Sequence, residues 1–469
     1  MDPTDLIIAR PEGLYCPPGD FYIDPWRPVE RAVITHAHSD HARTGHAHYL
    51  AHTLSEGTLR TRLGADIHLQ TLDYGAAIDH HGVKLSLHPA GHVLGSAQVR
   101  LEYRGEVWVA SGDYKTEPDG TCAPFEPVSC HTFITESTFG LPIYRWPTQP
   151  VLFAEINDWW RRNADEGRAS VLLCYAFGKA QRILHGVDAS IGPIVVHGAV
   201  EPLNAVYRAA GVALPPTLRV TDPEVSPQLL KRALVLAPPS AQGTPWMRRF
   251  GNYSDAFASG WMQLRGTRRR RGVDRGFVMS DHADWPGLQK AIKGTGAERV
   301  FVTHGSVAVL VRWLTENGLQ AQGFKTEYGD EDVADANSPP ADVLSNGASG
   351  ESPPPDLPPE GGGATSRAAA DDLSPSPPGG GATSRATADD LSSSPPGGGA
   401  TSRATADDLS PSPPGGGATS RATADDLSSS PPGGGATSRA TADDLSPSPP
   451  GGGPGWGPAA DTDDQAEPA

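Results

Sequence analysis

The stretch Thr35-His36-Ala37-His38-Ser39-Asp40-His41 constrains this chain more than any other. It follows a short apolar run, Ala32-Val33-Ile34, which reads as a buried strand running into a loop. Side chains alternate along an extended backbone, so His36, His38 and Asp40 project to one side. His41 reaches the same point from a different angle as the chain turns away. Neutral imidazole and carboxylate are ligands that Zn²⁺ and Mn²⁺ accept. Ligands packed this closely suit two adjacent metals better than one, yet are too few to complete both. A fold built on this stretch must bring further ligands from distant sequence.

Candidates recur in one pattern, an apolar run that ends in a polar, potentially ligating residue. It is seen at Ile34-Thr35-His36, Pro89-Ala90-Gly91-His92, Ala110-Ser111-Gly112-Asp113, Phe133-Ile134-Thr135-Glu136, Met279-Ser280-Asp281-His282 and Val302-Thr303-His304. Strand ends in α/β folds share one rim, which is where such folds gather functional groups.

Residues 5–110 alternate short apolar runs with Gly, Pro and His turns, and read as mostly strands with one early helix. From about Trp146 the texture changes. Residues 148–163 carry helical spacing, with Thr148 before Pro150 as the start. The apolar runs 170–174, 193–197 and 233–236 then alternate with helix-like segments from Gly178 and over 201–210. That order predicts a parallel α/β unit. After the basic run Arg268-Arg269-Arg270-Arg271, strands near 276–279 and 299–302 are each expected to lead into a helix, near 286–293 and 307–317.

Residues 331–469 differ in kind. Gly-Gly-Gly returns with a period of 18, and the repeated unit holds one Leu and no aromatic residue. Stacked units would bury almost nothing, so a disordered acidic Pro/Gly-rich tail is expected. The segment carries −16 of the chain's net charge of −17, leaving residues 1–330 near neutral. The four cysteines form no CxxC pair, which argues against a thiolate zinc site or a disulfide framework and fits a reducing cytoplasm. No signal peptide precedes Tyr15, and no apolar run reaches the roughly 20 residues of a membrane span. A soluble cytoplasmic protein of bacterial type, with no membrane partner, is expected.

The motifs resemble those of the metallo-β-lactamase fold, and within it the β-CASP nucleases. The first set comprises Asp24 after Phe21-Tyr22-Ile23, the His36-x-His38-x-Asp40-His41 signature, Gly91-His92 and Ser111-Gly112-Asp113-Tyr114. The second comprises Thr135-Glu136-Ser137-Thr138-Phe139-Gly140, Asp281-His282-Ala283-Asp284 and Thr303-His304-Gly305, with Phe177-Gly178-Lys179-Ala180-Gln181 similar to a β-CASP helix start. The likeness spans residues 13–329. Pro17 to Trp26, Gly95-Ser96-Ala97-Gln98 and Thr138 to Pro142 look like the bacterial ligase-associated DNA exonucleases, also described as mRNA 3′-end processing factors.

That resemblance implies an αββα sandwich over 1–144 and 276–330, interrupted by an α/β β-CASP insertion over 145–275. It implies two divalent metal ions, Zn²⁺ first and Mn²⁺ as the alternative. His36, His38 and His92 would hold one; Asp40, His41 and His304 the other; Asp113 would bridge them, and Asp24 would orient a ligand imidazole. Such a pair can activate water and clamp a phosphate during in-line displacement. His282, oriented by Glu136, would be the general acid. Arg268, Arg269, Arg270, Arg271, Lys115 and Lys179 are candidate contacts to nucleic-acid phosphates, the two lysines being read foremost as ordinary surface residues.

The expected activity is hydrolysis of phosphodiester bonds by a DNA exonuclease acting on single-stranded or frayed ends in repair. An ATP-dependent DNA ligase and a helicase are the candidate partners. The first alternative is an RNA-processing nuclease. A catalytically silent scaffold recruiting a ligase is disfavoured by the intact ligand set, and a small-ester hydrolase by the long insertion.

Overall fold

The computed structural model describes residues 5–324, 326, 327 and 456. The repeat region, where a disordered tail is expected, lies outside the described residues.

Two sheets make the body. The first contains strands Ile8–Arg10, Gly13–Cys16, Phe21–Ile23, Arg31–Val33, His48–His52 and Leu69–Leu72, each beside its neighbour in sequence. From Phe21–Ile23 onward these pairings are parallel. In the second, Gln320–Gly323, Arg299–Gly305, Thr132–Ser137 and Glu106–Ala110 lie side by side in parallel. Ala97–Tyr103, Val83–Pro89 and Ala77–His80 continue it as an antiparallel meander.

Alternation along the strands explains the layers. Val33, Trp108, Ile134 and Phe301 enter one core between the two sheets, together with Phe21, Leu50, Leu85 and Leu101. Their chain neighbours point outward: Ala32 packs on Leu59 of the helix Glu56–Leu63. Val109, Phe133, Val300 and Val302 pack on helices Trp285–Thr295 and Val307–Glu316 through Trp285, Ile292, Leu310 and Leu314. Helices therefore cover the outer faces, and the period of two that marks each strand in the sequence is the period of this packing. Trp108 is fully buried, and a side chain of that size stabilises by roughly 1.5–3 kcal/mol through burial alone.

The third sheet is parallel throughout, in the order Leu218–Arg219, Ile194–Val196, Leu234–Ala237, Ala169–Leu173, Tyr253–Ala258, Arg275–Phe277. Its runs Val171-Leu172-Leu173 and Leu234-Val235-Leu236 are apolar on both faces because both faces are covered. Leu172, Val196, Leu236 and Ala256 meet helices Gln149–Asp165 and Lys179–Gly186, while Val171, Val195, Val235 and Phe257 meet the 3₁₀ turn Pro245–Phe250. Thr148 caps the first of these helices in an extended conformation, with Pro150 inside the first turn where its missing N–H costs nothing. Arg268–Arg271, the candidate phosphate contacts, end a short surface helix, Arg265–Arg271, closed by Gly272 in the left-handed region.

No helix among the described residues is long and apolar enough to cross a membrane. No disulfide joins the four cysteines.

Candidate metal centre

The centre forms where parallel strands end. Asp24 follows Phe21–Ile23, the signature follows Arg31–Val33, and Asp113 follows Glu106–Ala110. Glu136 lies in the last turn of pleat of Thr132–Ser137, and His304 near the end of Arg299–Gly305. Those last three strands are parallel neighbours, so their ends share one rim. His92 comes from the turn after Val83–Pro89. Gly91 there has φ +73°, and a Cβ on it would lie 2.3 Å from the Lys115 carbonyl, so only glycine allows this approach.

Asp113 is the hub. Its Oδ2 lies 3.4 Å from His36 Nε2, 3.3 Å from His41 Nε2 and 3.9 Å from His92 Nε2, and its Oδ1 lies 3.3 Å from His304 Nε2. His38 joins through Nδ1, 3.0 Å from His92 Nε2. Asp40 Oδ2 stands 3.6 Å from His41 Nε2. The donor atoms of His36, His38, His92 and Asp113 fall within 4.8 Å of one another, as do those of His41, Asp113 and His304. Two ligand groups thus share one carboxylate.

The outward ring nitrogens are anchored, which fixes what the inward ones present. His41 Nδ1 donates to Asp24 Oδ2 at 2.7 Å. Asp24 also accepts from the Thr35 amide at 2.7 Å and from the Thr35 hydroxyl at 2.5 Å. His92 Nδ1 donates to the Asp281 carbonyl at 2.7 Å. His36 Nδ1 and His304 Nδ1 lie 3.1 and 3.2 Å from the hydroxyls of Thr35 and Thr303. Such outer contacts choose the tautomer and aim the free nitrogen inward. Asp24 adopts φ +43°, a left-handed conformation that Asp tolerates better than most residues.

The electrostatics are those of a cation site. Burial drives His36 well below the ordinary histidine range, aided by His41. Burial would do the same to His41, but Asp113, Asp40 and Asp24 overrule it and hold that imidazole well above. Asp113 is kept well below the carboxylate range, since His41 and His282 outweigh the cost of burying it. Both oxygens of Asp113, Asp40 Oδ2 and His36 Nε2 are buried with no hydrogen-bond partner among the described residues. Leaving such atoms dry and unbonded is costly. Divalent cations satisfy them, and the nitrogen-and-oxygen donor set fits such ions.

Beside the centre lies a hydrogen-bonded His282–Glu136 pair. His282 Nδ1 sits 2.9 and 3.0 Å from the two oxygens of Glu136, whose Oε1 also accepts from the Tyr114 amide at 2.8 Å. The cleft lined by Asp40, Asp113, His282 and His304 is also walled by Thr138, Phe139, Tyr175, Lys179, Ser259 and Trp261. Tyr175 and Ser259 follow strands of the third sheet and carry no ligand-type signature, so motif reasoning passes over them.

Lys179 lines the cleft, but it is buried, with Nζ 3.6 Å from Asp281 Oδ2 and 4.2 Å over the Tyr175 ring. Lys115 does not line it. Its ammonium is buried and committed to Asp119, so the surface reading of this lysine is replaced by an interior ion pair. Arg182 completes that network, 3.1 Å from Asp281 Oδ1 and 3.6 Å from Asp119 Oδ2. Arg268, Arg269 and Arg270 are exposed; Arg268 is tied by Nε to the Met262 carbonyl, and Arg271 lies over Phe257.

The chain is 30% identical over 322 residues to a probable DNA ligase of Opitutus terrae, covering 68% of this chain and 31% of that protein. It is 32% identical over 124 residues to the endoribonuclease YSH1 of Saccharomyces cerevisiae, covering 26% of this chain and 15% of that protein. Over 124 residues it is 27% identical to the cleavage and polyadenylation specificity factor subunit 3 of Dictyostelium discoideum. Over two thirds of its own length the chain thus resembles a ligase-linked protein, and over a quarter of it endoribonucleases of the β-CASP metallo-β-lactamase family. It spans less than a third of the length of each of these relatives. No family model matches it. A protein of unknown function from Enterococcus faecalis overlays with a TM-score of 0.45 and 12% identity over 64% of this chain and 80% of that one. That resemblance implies divalent metals, and the His/Asp groups around Asp113 are able to bind them.

Proposed function

We propose that this chain is a two-metal nuclease that hydrolyses phosphodiester bonds, acting as an exonuclease on single-stranded or frayed DNA ends in repair. The observation that carries this reading is the convergence of two ligand groups on Asp113. His36, His38 and His92 would hold one ion, Asp40, His41 and His304 the other, with Asp113 common to both. Bound there, two ions of Zn²⁺, or alternatively Mn²⁺, would activate water and offset charge building on the phosphate.

The remaining work falls to side chains. Asp24 holds the His41 ring in place. Glu136 takes His282 Nδ1, so Nε2 is the nitrogen from which a proton can pass to the departing oxygen. Phe139 and Trp261 offer ring faces on which unpaired bases can stack. Residues 145–275 act as the β-CASP insertion. They lend Tyr175, Lys179, Ser259 and Trp261 to the cleft wall, which favours a strand end threaded past the metals over an intact duplex. The exposed arginines 268–270 serve as phosphate contacts outside the cleft.

The likeness to a probable DNA ligase over most of the folded sequence supports the DNA reading, with an ATP-dependent ligase and a helicase as partners and a reducing cytoplasm as the compartment. The likeness to an endoribonuclease over 124 residues supports the second reading, an RNA-processing nuclease with the same centre.

Purified protein and an Asp40→Ala/His41→Ala variant, incubated with end-labelled DNA and RNA and either metal, separate these readings. The expected result is shortening of DNA from an end by the wild type alone. Equal cleavage by the variant refutes the metal centre, RNA-only cleavage promotes the second reading, and no cleavage by the metal-loaded wild type refutes both.

A further inference from the structure

Between residue 331 and the C-terminus the sequence has one aromatic side chain, Trp456, set in Gly453-Pro454-Gly455-Trp456-Gly457-Pro458. That indole is not out in solvent. It is 8% exposed and joins the core between the first two sheets. Its ring centroid lies 5.4 Å from Phe21 at 59° and 5.0 Å from His80 at 50°, within the range favoured for tilted aromatic contacts. Phe21 opens a strand of the first sheet and His80 closes a strand of the second, so the seat straddles the edge of the body. His81 backs it, stacked on His80 at 4.3 Å and 19°. Phe324, at the other end of the intervening sequence, is buried in the same core.

We propose that Phe21 and His80 form a docking seat for the chain's own Trp456. The acidic repeat segment then lies, in sequence, between two residues buried in one core, Phe324 and Trp456. No other aromatic side chain in residues 331–469 competes for the seat, and each repeat offers one Leu among Gly, Ala, Pro, Ser, Thr and charged residues. Great length between the two anchors is a weak obstacle, since the entropy of closing a loop grows only with the logarithm of its length. Trp456 Nε1 has no hydrogen-bond partner among the described residues, so the contact holds by apolar burial and is readily reversible. A second copy's Trp456 would have to outcompete one already tethered at high effective concentration.

The test uses the full chain labelled with 5-fluorotryptophan. Of ten tryptophan ¹⁹F resonances, the one lost in Trp456→Ala identifies the residue. The expected result is a resonance shifted from the free-indole position, as broad as those of the folded body, and moved toward the free position by His80→Ala. Hydrogen exchange of amides in 21–23 and 77–80 should be faster in Trp456→Ala by about threefold or more. A narrow Trp456 resonance at the free-indole position in the wild type overturns the proposal. So does unchanged exchange. A dimer that dissociates on Trp456→Ala overturns docking in cis and assigns the seat to a second copy.

Discussion

Replacing Asp24 with Asn isolates what its charge does. Both residues tolerate the left-handed φ of +43°, so the backbone need not move. The carboxylate accepts three hydrogen bonds, from the Thr35 amide, the Thr35 hydroxyl and His41 Nδ1. Asn offers one oxygen and turns an NH₂ on at least one donor. Stranding a buried N–H costs about 1–3 kcal/mol, and weakening two charge-assisted bonds to neutral ones adds about 1 kcal/mol each. A loss of roughly 3–5 kcal/mol follows, a large share of the ~5–15 kcal/mol that holds a domain together. Guanidinium unfolding with chelator present measures it, since metal linkage then drops out. Metal titration measures the second consequence. His41 loses its orienting partner, and affinity in the His41–Asp113–His304 group should fall about 10–100-fold. Stability within about 0.5 kcal/mol of wild type, together with unaltered affinity, would refute the reasoning.

His282→Ala should retain its metal content while turnover falls about 10²–10⁴-fold, as measured by mass spectrometry of bound metal and by cleavage rate; loss of metal would make His282 a ligand. The His52 ring lies flat on Tyr74 and its Nδ1 accepts from the Leu54 amide, and burial lowers its pKa to about 4. A histidine kept neutral by folding contributes stability in full above the unfolded value of 6.5, and that stability drains away as pH falls from 6.5 toward 4. Allowing for partial solvent access, unfolding at pH 7 and pH 5 should show about 1 kcal/mol less acid sensitivity in His52→Asn, whose side-chain oxygen can still cap Leu54. Arg182→Met should cost about 1.5–3 kcal/mol in the same assay at neutral pH, because it leaves buried Asp281 and Asp119 with one cation each, Lys179 and Lys115. Burial opposes the charge on Asp281, but Lys179 and Arg182 hold its pKa down to about 2. Its share of stability is therefore present above the carboxylate range and is lost as pH falls toward 2.

Much of the candidate centre was legible because each candidate ligand stands at the end of an apolar run, and the period of two along the strand also decides which side chain enters the core. Val33 and Trp108 face inward while Ala32 and Val109 face the outer helices, a pattern visible in the residues alone. What the sequence hid was everything that depends on contacts between distant segments. Lys115 looks like any surface lysine until Asp119 and Arg182 are folded against it. Tyr175 and Ser259 reach the cleft only because the third sheet sets its strand ends there. The Asp281 carbonyl that aims His92 is a backbone atom, and no side-chain pattern could have signalled it. The run Arg268–Arg271 showed only its charge in the sequence, and not the left-handed Gly272 that ends its helix.

The central claim is that Asp113 joins two ligand groups from far-apart strands into one metal site. Metal bound per chain, measured on the full protein by inductively coupled plasma mass spectrometry alongside cleavage of an end-labelled strand, tests it most directly. The wild type should hold about two ions and cleave, His304→Ala about one with cleavage largely lost, and Asp113→Ala neither ion tightly. Wild-type cleavage with one ion or none bound, or an Asp113→Ala variant that keeps its metal and its activity, would contradict it.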